Sequence, residues 1–141
     1  MRWLLALLLV GCAAPSEVWH GDERFTLEQR AQIAEANVWL ADRMHVDPLA
    51  IEWGGAGGCK IVVADLAEGT LGDSGRCDIR IDTAQGADRV GVAFAHELAH
   101  VHGLGHHEGP GLMNKVPPVV LEWTVADEVE CHHVNDACAP K

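Results

Sequence analysis

Basic residues are scarce in this sequence. Its 141 residues include 10 lysines and arginines against 21 aspartates and glutamates, which gives a formal net charge of -11 at pH 7. No cluster of Lys or Arg is available to neutralise phosphates, so the composition excludes nucleic acid and argues against an anionic lipid surface as a docking partner. We interpret the acidic surface as a solubility feature.

The sequence also lacks an N-terminal apolar run long enough to cross a bilayer as a mature helix. The run over residues 3–10 leads into the letters LVGC, which resemble a bacterial lipobox ending at Cys12. We therefore expect residues 1–12 to be a lipoprotein signal peptide and Cys12 to be a lipid anchor to the membrane. Ala13 is not the aspartate of an inner-membrane retention signal, so the expected location is the outer membrane, facing the periplasm or the cell surface. The alternative is a secretory peptide cleaved near Ala14, which also exports the domain.

No CxxC pair is present, which argues against a cysteine-rich zinc site. If Cys12 carries lipid, an even number of cysteines remains in an oxidising compartment: Cys59, Cys77, Cys131 and Cys138. Three pairings are possible. We favour Cys59 with Cys77, which would tie neighbouring strands, and Cys131 with Cys138, which would pin the C-terminal tail to the last helix.

The most informative segment is HELAHVHGLGH, in which His96, Glu97, His100, Gly103 and His106 spell HExxHxxGxxH. Residues four apart share a helix face, so His96 and His100 can present two imidazoles to one metal ion, with Glu97 beside them. Gly103 can take a left-handed conformation that ends the helix and brings His106 in as the third ligand. Three ligands leave one position open, which separates a catalytic zinc from a structural one. The alternative, an amphipathic helix with solvated histidines, leaves Gly103 unexplained.

The extended motif resembles the zinc site of the metzincin metallopeptidases. Seven residues beyond His106 stands Met113, in a GLMN segment that is similar to the metzincin Met-turn. Together with the strand at 77–82, the pattern is most similar to a matrixin-like catalytic domain over residues 17–133. The resemblance implies that Met113 lies beneath the metal. It also implies that substrate binds as an extended strand along an antiparallel sheet edge within residues 66–76, where glycines allow only a very short strand.

Three features depart from the metzincin pattern. Met113 is followed by three residues before Pro117, whereas relatives often have proline two residues after the methionine. The residue after the third ligand, which varies between metzincin groups, is His107. The sequence contains no tyrosine, so the tyrosine that some metzincins place near the metal cannot exist. Oxyanion stabilisation is therefore expected to come mainly from zinc.

The other histidines near these segments are expected to play no part as metal ligands. His102 lies about 200° around the helix from His100 and is interpreted as a surface or supporting residue. The direction of the His107 side chain cannot be predicted. His132 and His133 are interpreted as solvated residues at a helix C-terminus, where partial positive charge is favourable.

The chain is long enough for one domain. We predict an N-terminal tether over residues 13–24 and a metallopeptidase domain over residues 25–141. The predicted fold class is α+β: a small twisted mixed sheet packed on an N-terminal helix and the zinc-binding helix, followed by the Met-turn and a short C-terminal helix.

The pattern of residues also predicts the individual elements. The first helix is expected to start with a capping box at Thr26 and Gln29 and to reach Met44. Its buried stripe is predicted to contain Leu27, Ala31, Ala34, Val38 and Ala41, with Ile33, Leu40 and Met44 alongside. Strands are predicted at 49–53, 60–65 and 77–82. Helix caps are predicted at Asp88 and at Thr124 with Asp127. The small residues Gly91, Ala93, Ala95 and Ala99 are expected to bring the zinc helix close to the sheet.

Taken together, the motif predicts a zinc-dependent endopeptidase with one catalytic Zn2+ held by His96, His100 and His106. Glu97 is the expected base that takes a proton from the metal-held water and passes it to the leaving amine. The expected partner is a peptide or protein substrate, and the protein is expected to be a monomer. Two alternatives remain: a catalytically weak zinc-binding lipoprotein acting as a binding module, and an amidase on cell-wall peptides. Residues 116–122 are expected either to wall the substrate pocket or to cover the core.

Overall fold

The computed structural model describes residues 17–134 and Cys138. These residues form an α+β fold of one five-stranded mixed sheet and three helices, in agreement with the predicted class. The elements are β1 (Trp19–Gly21), α1 (Leu27–Met44), β2 (Ile51–Trp53), β3 (Cys59–Val63), β4 (Gly72–Ser74), β5 (Asp78–Ile81), α2 (Val90–Val101) and α3 (Val125–Val134). Between residues 17 and 134, no helix is both long and apolar enough to cross a membrane. The predicted signal peptide and the lipid anchor at Cys12 lie outside the described residues.

The sheet has the order β2-β1-β3-β5-β4. Four strands run parallel, and only β4 is antiparallel to its neighbour β5, at the edge of the sheet. Strand β1 was not predicted, since it lies within the segment interpreted as a tether. It is three residues long, too short for a readable alternation, but Trp19 is buried and the strand pairs with both β2 and β3.

Helix α1 begins as predicted but buries a different face. The capping box is present, with Gln29 N donating to Thr26 Oγ1 and Thr26 N donating to Gln29 Oε1. The predicted stripe is wrong at Ala31 and Ala34, which are exposed, and at Leu27 and Val38, which are 82% and 60% exposed. It is confirmed at Ala41 and at the flanking residues Ile33, Leu40 and Met44. The complete buried face contains Ile33, Ala36, Asn37, Leu40, Ala41 and Met44. The polar Asn37 obscured this face. Its side-chain amide makes two hydrogen bonds to the backbone of Leu49, which offset the cost of removing this polar group from water.

The two disulfides join Cys59 to Cys77 and Cys131 to Cys138, the pairing that the sequence favoured. The first links the start of β3 to the residue before β5, with 4.4 Å between the Cα atoms. The second fixes Cys138 against α3, with a Cα separation of 5.7 Å. Cross-links of this kind restrict the unfolded chain of a small domain.

Helix α2 is almost entirely buried, since every residue from Val90 to Ala99 has little exposure to solvent. The predicted Asp88 cap is wrong: Arg89 is the N-cap residue, and no side chain caps the helix there. The Gly91 N–H instead donates to Gln32 Oε1 of α1 at 3.2 Å. The expectation for Gly91 is also corrected. A Cβ at this position would lie 2.8 Å from the Gln32 carbonyl oxygen, so the glycine allows close approach to α1 rather than to the sheet.

Candidate metal site and cleft

Three imidazole nitrogens converge at the C-terminal end of α2. The Nε2 atom of His96 lies 3.0 Å from that of His106 and 3.1 Å from that of His100, and the third separation is also 3.1 Å. These three residues therefore form a group that could hold one metal ion. The motif brings together the three histidines that the sequence singled out.

The opposite nitrogen of two of these rings is fixed by a backbone carbonyl. His96 Nδ1 lies 2.6 Å from the Leu112 oxygen, and His100 Nδ1 lies 2.7 Å from the Leu104 oxygen. A carbonyl can only accept, so each Nδ1 carries a proton, and the lone pair of each ring in its neutral form is on Nε2. Two lone pairs 3.1 Å apart repel each other unless a cation lies between them. The donor set therefore fits a metal ion.

The turn after α2 places the third histidine. Gly103 has a φ of 95°, and its N–H bonds to the His100 carbonyl, while the Leu104 N–H bonds to the Ala99 carbonyl. This is a Schellman arrangement, which reverses the chain after a left-handed glycine. The same turn aims the Leu104 carbonyl at His100 Nδ1. One glycine thus ends the helix, orients the second histidine and returns His106 to the first two.

Burial keeps the imidazoles in the form that binds metal. The pKa of His96 is lowered to about 4, chiefly by loss of solvation. The hydrogen bond to Leu112 opposes this shift, and the neighbouring His100 and His106 add to it. Burial also lowers the pKa of His106, with a smaller contribution from His100. Both rings are consequently neutral near pH 7, as metal ligation requires.

Glu97 lies beside the histidines on the side that faces a cleft. Its side chain is buried, and Oε2 accepts a hydrogen bond of 2.8 Å from the Ser74 hydroxyl of β4. Burial raises the pKa of Glu97, and the bond from Ser74 partly opposes that rise. Gly72 leaves the room for this carboxylate, because a Cβ there would lie 2.8 Å from Glu97 Cγ and 3.1 Å from Oε1.

The side of the site away from the cleft is organised by Asp127, which the sequence predicted only as part of a helix cap. Its fully buried carboxylate accepts from the backbone N–H groups of Leu112 and Met113 at 3.1 and 2.8 Å. It also accepts from the Thr124 N–H, which is one half of the predicted cap. The Thr124 hydroxyl lies within hydrogen-bond distance of both Asp127 Oδ2 and the Pro110 carbonyl. Because Leu112 is the carbonyl partner of His96, Asp127 fixes a peptide that orients one histidine of the candidate metal site. No sequence signal reveals this contact.

The ring of His107 points to this buried side. Its Nε2 lies 2.8 Å from Asp127 Oδ1, and its backbone N–H donates to the Met113 carbonyl. Met113 itself is fully buried between these contacts. Of the other histidines, His102 borders a small gap next to Asn37 and Leu40 of α1, away from the three-histidine group. His132 and His133 lie near carboxylates of their own helix, at 3.0 and 4.0 Å.

The histidines and Glu97 open onto a cleft of about 710 Å3. Its lining comprises Gly69, Thr70, Leu71, Gly72, Asp73, Ser74, Gln85, Arg89, Ala93, His96, Glu97, His100, His106, Lys115, Val116 and Pro117. The predicted short edge strand is present as β4. Of the predicted wall at 116–122, only Val116 and Pro117 border the cleft, whereas Val119 and Val120 are exposed.

The loop that leads to β4 is held by two residues that the sequence did not single out. Asp82 Oδ2 accepts from the Leu66 N–H at 3.0 Å, and Gln85 Oε1 accepts from the Gly69 N–H at 2.7 Å. Hydrogen bonds to its carboxylate lower the pKa of Asp82, and the bond from the Leu66 N–H contributes most. The bonds from Leu66 and Gly69 fix a glycine-rich segment that contains little regular structure of its own.

No family model matches this chain, and no curated protein is similar to it at a significant level.

Proposed function

We propose that this protein is a zinc-dependent endopeptidase built on a minimal metzincin-like domain. The observation that carries the proposal is the convergence of the Nε2 atoms of His96, His100 and His106. Hydrogen bonds from Nδ1 to backbone carbonyls orient the first two rings, and the group lies beside the buried carboxylate of Glu97 in an open cleft. The order of strand, motif helix, glycine turn, third histidine and buried Met113 supports the metzincin-like assignment.

The spacing of the nitrogens supports zinc as the metal. Ligands about 2.0–2.1 Å from a tetrahedral zinc lie roughly 3.3 Å apart, close to the Nε2 separations of 3.0 and 3.1 Å. Within residues 17–134, no fourth His, Cys or carboxylate atom joins the group. Three ligands with an open side favour a catalytic site over a structural one. When bound, zinc supplies Lewis-acid polarisation of the scissile carbonyl and lowers the pKa of water at the site.

Glu97 carries the proton transfers. In the proposed reaction its carboxylate takes a proton from the attacking water and delivers it to the leaving amine, so that one group is base and then acid. Burial suits it to this cycle, because a raised pKa makes the protonated state of Glu97 easier to reach. Ser74 holds one carboxylate oxygen and leaves the other free to face the substrate.

The free edge of β4 supports a peptide as the substrate. Hydrogen bonds from Asp82 N to Leu71 O and from Gly75 N to Asp78 O pair the odd-numbered residues of this segment with β5. In an antiparallel ladder the alternate residues face outward, which leaves the backbone groups of Gly72 and Ser74 unpaired at the edge. An extended peptide can pair with these groups and so pass in front of Glu97.

The test is cleavage of a peptide library by the zinc-loaded full-length chain, compared with Glu97→Gln and with zinc content measured in both. We expect the variant to bind zinc and to lose activity roughly 10²- to 10⁴-fold, the usual contribution of a general base. Glu108→Gln is the matched control, because Glu108 is an exposed carboxylate on the loop after the third histidine. No cleavage by the parent chain carrying one zinc would favour the binding-module or amidase alternative.

The exported location rests on the sequence alone. We propose that Cys12 carries the lipid anchor and that the catalytic domain faces the periplasm or the cell surface. Replacement of Cys12 by serine is expected to release the protein from the membrane fraction, and mass spectrometry of the N-terminal peptide would detect the lipid directly.

A further inference from the structure

Arg89 occupies an unusual position in the cleft. It is the N-cap residue of α2, and it shares the cleft-facing side of that helix with Ala93, His96 and Glu97, which follow it by four, seven and eight residues. Its side chain is partly buried. Among the described residues, the guanidinium of Arg89 has neither a hydrogen-bond partner nor an ion-pair partner.

Three other arginines of the chain are held by hydrogen bonds to neighbouring residues. Arg24 donates from two guanidinium nitrogens to Oδ2 of Asp22, and Arg80 forms a bidentate pair with both carboxylate oxygens of Asp73. Arg30 donates to two backbone carbonyls. The only carboxylates in the cleft lining, those of Asp73 and Glu97, are already engaged by Arg80 and Ser74. Within this cleft, therefore, the described part of the chain offers Arg89 no unengaged carboxylate.

The position of Arg89 also works against the stability of the helix. N-cap sites favour Ser, Thr, Asp or Asn, whose side chains accept from the first amides. A cation at a helix N-terminus meets the positive end of the macrodipole. Arg89 supplies no cap hydrogen bond and adds that unfavourable charge. A residue that opposes the local preference in this way, at the wall of a functional cleft, points to a role in binding.

The surroundings of Arg89 form a pocket with an apolar wall. Gly86 lies between this arginine and Leu71: a Cβ on the glycine would be 3.0 Å from Leu71 Cδ2 and 3.9 Å from Arg89 Cβ. Ala93 adds a small side chain on the helix, and Val116 lies in the same lining. A guanidinium partly removed from water and bordered by apolar groups gains most from a bidentate carboxylate partner.

We propose that Arg89 determines specificity by binding a carboxylate of the substrate, at the end of the cleft nearest the start of α2. This inference rests on the proposed peptidase function and names the substrate class: peptides that are acidic at one position near the cleaved bond. The carboxylate belongs either to an Asp or Glu side chain or to the C-terminus of the substrate. The overall charge of -11 repels acidic peptides, so the preference arises locally from Arg89.

The experiment compares peptides that differ only by Glu or Gln at each position in turn, each with a free or an amidated C-terminus. For the zinc-loaded full-length chain we expect kcat/KM for one Glu peptide, or for the free C-terminus, to exceed that of its neutral partner roughly tenfold or more. Arg89→Gln should reduce this ratio to near one, and Arg89→Lys should retain part of it. Arg89→Glu should shift the preference toward a Lys peptide.

Arg76→Gln is the matched control. Arg76 is exposed, lies outside the cleft lining and has no partner among the described residues, so its replacement changes the net charge equally. The ratio should be unchanged in this variant. A preference that survives in Arg89→Gln but disappears in Lys115→Gln would overturn the assignment, because Lys115 is the other cation of the cleft.

A binding measurement separates failure of this inference from failure of the proposed function. The zinc-loaded Glu97→Gln chain is titrated with the same Glu and Gln peptides, and binding is followed by tryptophan fluorescence. Cleavage by the parent chain without any preference for the carboxylate refutes only the role of Arg89. Absence of both cleavage and binding refutes the peptidase proposal, and a tighter complex with the Glu peptide that depends on Arg89 supports the inference even where turnover is slow.

Discussion

The two sides of the three-histidine group differ in how a buried carboxylate is held. On the cleft side, Glu97 is 6% exposed and has one side-chain hydrogen-bond donor, the hydroxyl of Ser74. On the opposite side, Asp127 is 0% exposed and accepts from Leu112, Met113, Thr124 and His107. Both acids are buried, but only Asp127 has its acceptor capacity filled. The difference indicates that Asp127 stabilises the fold, whereas Glu97 keeps an oxygen available to accept a proton.

The same contrast extends to the backbone around each acid. Behind the site, the Met113 N–H and the His107 ring both bond to Asp127 of α3. The His107 backbone N–H also donates to the Met113 carbonyl. In front of it, the wall is the three-residue strand β4, whose outer edge is unpaired within the described chain. The three histidines are thus supported by a region with many hydrogen bonds, while the backbone groups that would meet substrate are left free.

The largest effect should come from Asp127→Ala. This change leaves several buried donors without an acceptor, so we expect the free energy of unfolding to fall by about 4 kcal/mol or more. Urea unfolding of the metal-free chain with intact disulfides measures it. Asp127→Asn, which keeps one acceptor oxygen, should lose less and guards against a variant that does not fold. An equal loss of unfolding free energy in Glu97→Gln and Asp127→Asn would contradict the proposed difference between the two acids.

The sequence could predict the cleft side of this comparison but not the opposite side. The ligands, Glu97 and Gly103 follow from helix periodicity and one glycine turn, all within eleven consecutive residues. Asp127 acts on Leu112 and Met113 across 14 or 15 positions, and its local pattern indicates no more than a cap. Burial of Asn37 likewise depends on Leu49, a tertiary contact that periodicity cannot anticipate. Residues within one local motif could be predicted from the sequence, whereas the distant partners of buried polar groups could not.

Two glycines shortly before Met113 provide a second test of the structural role of Asp127, with a smaller expected change in stability. Gly109 and Gly111 both have positive φ, at 111° and 128°, so alanine is strained at either position. Only at Gly111 would the added Cβ also collide with the Asp127 carboxylate and the Thr124 hydroxyl, because Gly109 has nothing within 4 Å. We expect Gly111→Ala to destabilise the chain by about 2 kcal/mol more than Gly109→Ala. Equal thermal shifts in calorimetry would mean that the Asp127 network tolerates displacement.

The smallest predicted effect concerns the single bond that holds Glu97. The Ser74 hydroxyl stabilises the ionised carboxylate and so lowers the pKa of Glu97. Without it the pKa rises further, and the base is deprotonated only at higher pH. In Ser74→Ala the acidic limb of the kcat/KM profile should therefore move to higher pH, with a loss of roughly tenfold or less near neutrality. Ser74→Thr retains a hydroxyl and should restore the parent profile. Since Asp127 has no contact with Ser74, the stability of the metal-free chain should hardly change, which distinguishes a residue that tunes the base from one that supports the ligands.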